Sequence, residues 1–178
     1  MPDAVIRKVR EEFGEFGNMS PHPIVTIYDI NYVHMSGEPV VTAETTWPTA
    51  EHLFQAMRFL DHTIQGVIRR EKSPMGAKMA AKRLAAEMCL EPRSPKDVDN
   101  MRRVLQWKAE QHPAILEKLL ATGNDFIVED CSNRRNDSGL FWGAALVGGG
   151  GEATWVGVNT LGKLWMELRA TRRQEIPK

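Results

Sequence analysis

Four prolines divide the middle of this 178-residue sequence, and each lies at or just before the start of a helical pattern. They are Pro48, Pro74, Pro95 and Pro113. Because proline lacks an N–H and has a fixed φ, a helix accepts it only in the first turn. Thr49 and Ser73 stand beside two of these prolines, and their hydroxyls can cap a first turn. The spacing therefore predicts a succession of short helices.

The remaining patterns complete a mainly helical layout. We expect helices over residues 49–60, 63–70, 73–88, 96–111, 113–120 and 159–171, and a short charged helix over residues 4–12. Extended runs at 24–28 and 40–43, with the turn signal Ser36-Gly37 between them, predict a β-hairpin. A short strand at 126–128 and a long polar loop over 129–157 follow. The sequence predicts a single domain over residues 1–178, mainly α with a small β element (α+β). Strands and helices do not alternate, which argues against a Rossmann-type fold.

Composition narrows the classes of function. Lys and Arg number 23 and balance 23 Asp and Glu, so no global basic field favours diffuse nucleic-acid binding. Cys89 and Cys131 are too few for a zinc site or a disulfide framework and are interpreted as free thiols. No apolar run is long enough for a membrane span, and the N-terminus lacks an apolar signal core. We expect a cytoplasmic protein without membrane contact, metal or cofactor.

The first candidate site lies on the helix after Trp47-Pro48. Glu51, Gln55 and Arg58 share one side of this helix at its periodicity of 100° per residue. A solvated polar face would explain that spacing. Alternatively, the three residues form a cleft wall flanked by Trp47 and Phe54, in which a carboxylate activates water and aromatic rings stack on a base.

The second candidate is Lys108, which follows Met101 and Leu105 on the apolar stripe of the helix over 96–111. A lysine in such a position usually lays its stem over the core and lifts its ammonium into water. The alternative is a partly desolvated amine with a lowered pKa, able to attack a sugar aldehyde.

Two further segments near the C-terminus combine polar residues with glycine and tryptophan. Asp137 and Trp142-Gly143 lie in a polar loop of the kind that builds sites, although turn formation explains its Asn and Asp equally well. Asn159 can cap the last helix, and Gly162 lies in the first turn of that helix. A ligand or another backbone close by would justify that glycine, and a helix N-terminus suits a phosphate or ribose hydroxyl.

These segments belong to an ordered series of motifs. The series comprises Phe16-Gly17-Asn18-Met19-Ser20, Trp47-Pro48-Thr49, Glu51-His52-x-Phe54-Gln55-Ala56, Ser73-Pro74-Met75, Lys108 with Gln111-His112-Pro113, Leu119-Leu120-Ala121-Thr122-Gly123, Trp142-Gly143, and Gly157-x-Asn159-x-Leu161-Gly162-x-Leu164-x-Met166-x-x-Arg169. In this order, over about residues 13–169, the sequence resembles the NADAR (YbiA-like) family of N-glycosidases.

The resemblance implies hydrolysis of an N-glycosidic bond. Members of the family are associated with phosphorylated intermediates of riboflavin synthesis and with ADP-ribose attached to guanine, for which a lysine Schiff base is proposed. By this resemblance the catalytic candidates are Glu51, Lys108, Lys78 and Asp137. The substrate-binding candidates are Asn18, Trp47, Phe54, Gln55, Arg58, Trp142, Gly143, Asn159 and Gly162. Lys108 is the preferred nucleophile, Lys78 is the second candidate, and no metal is implied.

The sequence also departs from the family pattern. Arg58 stands where relatives commonly have lysine, and Ala81-Lys82 replaces the usual Gly-Arg. Arginine keeps the charge but cannot form a Schiff base. Asp137 lies five residues before Trp142, so the site loop is remodelled.

We expect a small ribosylated nucleotide as partner, with ADP-ribosylated guanine in a nucleoside, DNA or RNA favoured over riboflavin intermediates. A binding module for ADP-ribose without turnover is the alternative from another class. Arg69, Arg70 and Lys72 could hold phosphates, although a solvated charge cluster is more typical of such a run. The sequence does not indicate an oligomeric state.

Overall fold

A computed structural model describes residues 3–8, 10–31, 40–149 and 153–175. The helices are α1 (Ala50–Ala56), α2 (His62–Arg69), α3 (Pro74–Arg83), α4 (Pro95–Gln111), α5 (Pro113–Ala121), α6 (Asp137–Trp142) and α7 (Thr160–Glu175). The strands are β1 (Ala4–Ile6), β2 (Ile24–Tyr28), β3 (Val41–Trp47), β4 (Ile127–Glu129), β5 (Ala145–Val147) and β6 (Thr154–Val156). Single 3₁₀ turns cover Gly14–Phe16 and Ala85–Glu87. The predicted mainly α fold with a small β element is confirmed.

The chain forms two compact units. One unit comprises residues 18–112 and contains α1 to α4 with the antiparallel pair β2–β3. The other comprises residues 1–17 and 113–178 and contains α5 to α7, the parallel pair β1–β4 and the antiparallel pair β5–β6. The predicted single domain over residues 1–178 stays a prediction.

Side-chain caps start the helices where the sequence predicts them. The hydroxyl of Thr49 accepts from the backbone N–H of His52 at 3.4 Å, and that of Ser73 accepts from Gly76 at 3.0 Å. Ser94 caps α4 in the same way. Each cap satisfies one N–H that the first turn leaves without an intrahelical partner. The proline and hydroxyl pattern therefore located the starts of α1, α3, α4 and α5, whereas α1 ends at residue 56 instead of 60 and α3 at 83 instead of 88.

The predicted helix over residues 4–12 is wrong. Ala4 to Ile6 instead form β1, which pairs in parallel with Ile127 to Glu129. Ala4 and Ile6 are buried, so the alternation of a strand places both in the core. Tertiary pairing thus outweighs the local helical preference of the charged residues that follow.

The hairpin prediction is confirmed for its strands, because β2 and β3 pair antiparallel with Ile24 opposite Trp47. Its turn signal, Ser36-Gly37, lies outside the described residues. The predicted loop over 129–157 is wrong in part, since it contains α6, β5 and β6. Cys89 and Cys131 are free thiols, as predicted. Within the described ranges, the helices are too short or too polar to cross a bilayer.

Candidate functional site

The polar side of α1 is buried. Glu51 is 5% exposed, and Gln55 and Arg58 are buried beside it. The Gln55 Nε2 donates to Glu51 Oε1 at 2.8 Å, and Arg58 Nη1 donates to Gln55 Oε1 at 2.9 Å. A solvated polar face, one interpretation of this pattern, is therefore excluded. The Gln55 amide orients the buried Glu51 carboxylate, because a donor fixes the direction of the acceptor oxygen.

Arg58 is held from three sides. Its Nε and Nη2 donate to the two carboxylate oxygens of Asp97 at 2.8 and 2.7 Å, which is a bidentate pair. Its guanidinium also lies 4.4 Å from the centre of the Phe54 ring, within the range of a cation–π contact. Arg58 therefore stabilises the position of Gln55, and one face of Phe54 is covered by this cation.

Asp97 was missed by sequence reasoning. It lies in the first turn of α4, where an acidic residue is explained by the helix dipole alone. Its partner Arg58 is 39 positions away in the sequence, and no spacing rule predicts such a pair.

The loop of residues 18–23 links α1 and α4. The backbone N–H of Glu51 donates to Asn18 O at 3.0 Å, while Asn18 Nδ2 points to the sulfur of Met101 at 3.2 Å. The Oδ1 of Asn18 is buried and has no hydrogen-bond partner among the described residues. A buried acceptor in this state is costly unless a further group donates to it. Asn18 thus has an acceptor that a bound molecule could satisfy.

Lys108 is fully buried, at 0% exposure. Its Nζ donates to Ser20 Oγ at 2.7 Å, so the ammonium does not reach bulk water as the usual interpretation of its stripe position predicts. Since the same loop accepts from Glu51 through Asn18, the structure brings a buried carboxylate and a buried amine to one loop. Sequence reasoning missed Ser20, although it stands in the first motif of the series.

The end of α4 fixes this loop and the strand that follows it. Gln111 exchanges two hydrogen bonds with the backbone of Val25, both of 2.8 Å. The Nε2 of His112 lies 2.7 Å from Pro23 O. Together with Lys108, which binds Ser20, these two residues hold the segment 20–25 at three positions. The Lys108/Gln111-His112 motif therefore has a structural role.

Two other candidates of this unit have different surroundings. Trp47 is buried, and its Nε1 donates to Thr26 Oγ1 at 3.0 Å. It also lines a groove of about 370 Å³ together with Arg69 and Arg70. Neither the buried carboxylate nor the buried amine lines that groove, so we rank it below the 18–23 loop as a reaction site. Lys78 is half-buried on α3.

In the other unit, Asp137 and Trp142 lie at opposite ends of α6. Asn136 caps this helix by accepting from Gly139 N at 2.8 Å, and Asp137 is exposed in the first turn. Trp142 is half-buried and meets Phe141 edge to face, with ring centroids 5.1 Å apart. An exposed acid and a half-buried ring remain accessible to a ligand.

Asn159 does not cap α7 with its side chain. Its Oδ1 accepts from Glu129 N at 3.0 Å and its Nδ2 donates to Ile127 O at 2.9 Å, while its own φ is +55°. The side chain therefore fastens the start of α7 to strand β4. Asparagine tolerates this left-handed backbone better than most residues.

Gly143 and Gly162 are explained by backbones that approach closely. A Cβ at Gly143 would lie 2.3 Å from Glu129 O, and one at Gly162 would lie 2.2 Å from Ile127 O. Of the two explanations for Gly162, the structure supports another backbone. Strand β4 thus packs against both glycines, and their role as ligand contacts stays a prediction.

Replacing Gly162 with alanine should destabilise the protein. Helix propensity alone predicts a gain of about 1 kcal/mol, but the clash with Ile127 O predicts a net loss of about 1–3 kcal/mol. Urea unfolding measures this difference. The matched control is Gly149→Ala, whose Cβ meets nothing within 4 Å and should change stability by less than about 0.5 kcal/mol. A more stable Gly162→Ala variant would contradict the packing.

Arg169, the last residue of the motif series, is buried in the same unit. Its Nη1 donates to Thr122 Oγ1 at 2.6 Å and to Asp125 O at 3.0 Å. Removal from water lowers the pKa of this guanidinium, with a smaller contribution in the same direction from nearby Arg173. Arg169 ties α7 to the turn after α5, which is a structural role.

The predicted site residues therefore fall into two sets. The unit of residues 18–112 holds Asn18, Trp47, Glu51, Phe54, Gln55, Arg58, Lys78 and Lys108, and the other unit holds Asp137, Trp142, Gly143, Asn159 and Gly162. Within the first set, hydrogen bonds and one cation–π contact connect all residues but Trp47 and Lys78, with Lys108 connected through Ser20 of the 18–23 loop. No cluster of three or more metal-ligating side chains forms in the described part of the chain.

A family model, the NADAR domain, matches residues 6–173. The chain belongs to the NADAR family. It is 34% identical over 171 residues to N-glycosidase YbiA of Escherichia coli, covering 95% of this chain and 89% of that relative. The NMR structure of E. coli YbiA matches with a TM-score of 0.62 at 32% identity, covering 98% of this chain and 88% of that chain. The family predicted from the motifs is confirmed.

Two further relatives extend the comparison. An N-glycosidase of Nostoc punctiforme is 31% identical over 170 residues, which is 91% of this chain and 87% of that relative. The chloroplastic riboflavin biosynthesis protein PYRR of Zea mays is 30% identical over 179 residues, covering 96% of this chain but only 25% of that protein. The names of the full-length relatives support a hydrolase of the N-glycosidase class.

Proposed function

We propose that this protein removes ADP-ribose from ADP-ribosylated guanine, with Lys108 as nucleophile and Glu51 as acid and base. The observation that carries the proposal is the buried amine of Lys108, held 2.7 Å from Ser20 Oγ on the loop that also binds the Glu51 backbone. Lys108 has no exposure, and because burying a cation is costly, stability alone does not explain a lysine at this position. Such a residue is typical of covalent catalysis.

The chemistry starts by opening the ribose. The nitrogen on the anomeric carbon expels the ring oxygen and forms a C=N bond, and the ring oxygen takes a proton. Lys108 Nζ then adds to that carbon, and the guanine amine leaves with a proton. The resulting Schiff base on Lys108 is hydrolysed by water, which returns the amine and releases ADP-ribose. Each step needs one proton donor or acceptor beside the sugar.

Glu51 is suited to that role. Gln55 holds its Oε1, and among the described residues no hydrogen bond is made to Oε2, so one oxygen is oriented and the other can exchange a proton with the substrate. Arg58 and Asp97 fix Gln55 from behind. Arg58 cannot take the place of a Schiff-base lysine, because a guanidinium is not deprotonated in proteins. Lys78 is the second candidate for the nucleophile.

The expected partner is a ribosylated nucleotide, with the guanine free, in a nucleoside or in a DNA or RNA strand. Asn18, with its unsatisfied Oδ1, is proposed to accept a hydrogen bond from this substrate. Trp142 is half-buried, as a ring that stacks on a base would be. Trp47 and Phe54 are buried and packed, which leaves them less suited to stacking than the sequence predicts.

Cleavage of a phosphorylated riboflavin intermediate is the second candidate. The name of the maize relative favours it, since a domain related to this chain occurs within a riboflavin biosynthesis protein. We propose the same Glu51 carboxylate for both substrates and the Lys108 amine for the first. A binding module for ADP-ribose would need neither, so retention of Glu51 and Lys108 in buried, hydrogen-bonded positions favours an enzyme.

The Glu51→Gln variant tests the role of the carboxylate. Glutamine keeps the size of the side chain and an oxygen that can accept from Gln55, but it cannot transfer a proton. We expect kcat to fall by about 10²–10⁴-fold, as for loss of a general acid or base, while the Kd for ADP-ribose stays within about twofold. The control is Glu91→Gln, an exposed carboxylate of the same unit. A Glu51→Gln variant as fast as the parent would refute the assignment.

A further inference from the structure

A hydrogen-bonded path leads from the buried amine to a half-buried histidine. Lys108 Nζ donates to Ser20 Oγ at 2.7 Å, and Ser20 Oγ lies 3.1 Å from His22 Nδ1. Ser20 is fully buried, whereas His22 is partly exposed. The directions agree along the path, because a Ser20 hydroxyl that accepts from the amine has its own proton to donate to Nδ1.

The backbone of this path is restricted by its sequence. Pro21 follows Ser20 and Pro23 follows His22, and a residue before proline is confined to extended conformations. The backbone N–H of His22 also donates to the backbone O of Ser20 at 2.8 Å. On the far side, the His112 ring meets the His22 ring edge to face at 5.1 Å, and its Nε2 lies 2.7 Å from Pro23 O. The Ser20 hydroxyl and the His22 ring are thus held in place before any ligand binds.

We propose that Ser20 and His22 are positioning residues that orient Lys108 and carry its proton away when the amine attacks the sugar carbon. The inference rests on the proposed function, because it assumes that Lys108 forms a Schiff base. A completely buried amine has no bulk water to take its proton, so it needs an internal acceptor with a route to solvent. Ser20 and His22 supply both.

The reacting species in this step are the Lys108 amine in its neutral form and a sugar in its open aldehyde form. The Nζ lone pair forms the bond to the aldehyde carbon, and the π pair of the carbonyl moves onto its oxygen. One proton leaves Nζ for Ser20 Oγ while the Ser20 proton passes to His22 Nδ1, which releases it to solvent. The alkoxide takes one proton from solvent, and the carbinolamine then loses water to give the C=N bond. No oxidant or reductant is needed.

Reductive trapping tests this path. Purified full-length protein is incubated with free ADP-ribose and cyanoborohydride, and peptide mass spectrometry follows the rate of adduct formation on Lys108. Ser20→Ala removes the hydroxyl, Ser20→Thr restores it, and His22→Asn keeps an acceptor near the Nδ1 position but cannot take a proton. The control is His62→Asn, the same change at an exposed histidine of this unit that pairs with Asp29.

We expect the trapping rate constant at saturating ADP-ribose to fall by about 10²-fold in Ser20→Ala and His22→Asn. Ser20→Thr should recover most of the rate, His62→Asn should match the parent, and half-saturating ADP-ribose should change less than about twofold. Unfolding midpoints within a few degrees of the parent show that each variant is folded.

The other outcomes are separable. A parent protein that forms no adduct on Lys108 overturns the Schiff base, and the path with it. Adduct formation at the parent rate in both Ser20→Ala and His22→Asn overturns the path alone. A slow Ser20→Ala with a normal His22→Asn overturns proton transfer to His22, because the asparagine would then suffice as an acceptor.

Discussion

Replacing Lys108 with methionine is expected to reduce turnover by more than about 10³-fold while ADP-ribose still binds. Methionine keeps the length of the buried stem and removes only the amine, so the space occupied by Lys108 stays filled. The loss follows because no other group takes the place of a covalent nucleophile. Single-turnover hydrolysis gives the rate, and calorimetry gives the Kd for ADP-ribose.

Lys78→Met is the matched control for this prediction. Lys78 is half-buried on α3, and the same substitution there should leave the rate within about threefold of the parent. If the hydrolysis rate falls in Lys78→Met and stays at the parent value in Lys108→Met, the nucleophile is Lys78 and the assignment to Lys108 is wrong.

The second large effect is expected for stability. Asp97→Ala should lower the free energy of unfolding by about 3–5 kcal/mol, because it leaves the buried Arg58 guanidinium without its bidentate partner. The substitution also removes the acceptor for Arg93 N, a residue with φ of +69°. Urea unfolding at neutral pH measures the loss.

Asp99→Ala provides the comparison on the same helix. Asp99 is exposed and pairs with Arg102 at the surface, where an ion pair contributes about 0–1 kcal/mol. Equal losses of unfolding free energy in the two variants would mean that the Arg58–Asp97 pair contributes no more than an ordinary surface pair. The hydrogen bonds that lead from Asp97 to Glu51 would then not stabilise the site.

Local signals predicted where α1, α3, α4 and α5 begin. Thr49, Ser73 and Ser94 cap the helices that their sequence neighbours indicate, and Gly123 adopts a φ of +57° after α5. These features depend on a few adjacent residues. Strand β1 depends instead on a partner more than 120 positions away, and three residues carry too little pattern to reveal it.

The candidate site shows the same division. Glu51 and Lys108 were found from helical periodicity and from motifs, but periodicity could not decide whether they face water or the interior. Burial of a polar helix face is decided by elements that pack on it, such as the 18–23 loop. Ser20 and Asp97 were missed because each contacts a partner that is distant in sequence, and His22 was missed because its link to Lys108 runs through Ser20.

The glycines show where a sequence pattern carries two meanings. The family resemblance predicted Gly143 and Gly162 as ligand contacts. In the structure, each glycine leaves room for a backbone carbonyl group of strand β4. A motif glycine can therefore reflect backbone packing within its own unit. Only the neighbouring backbone distinguishes this from close approach of a ligand.

The most direct test is hydrolysis of ADP-ribosylated guanosine and of phosphorylated riboflavin precursors, offered side by side to the purified protein. We predict release of free ADP-ribose from the first substrate, together with a borohydride-trapped sugar adduct on Lys108. Hydrolysis of the riboflavin precursors alone would support an N-glycosidase but show that the proposed substrate is wrong. No release from either, with tight binding of ADP-ribose by calorimetry, would contradict catalysis and identify a binding module.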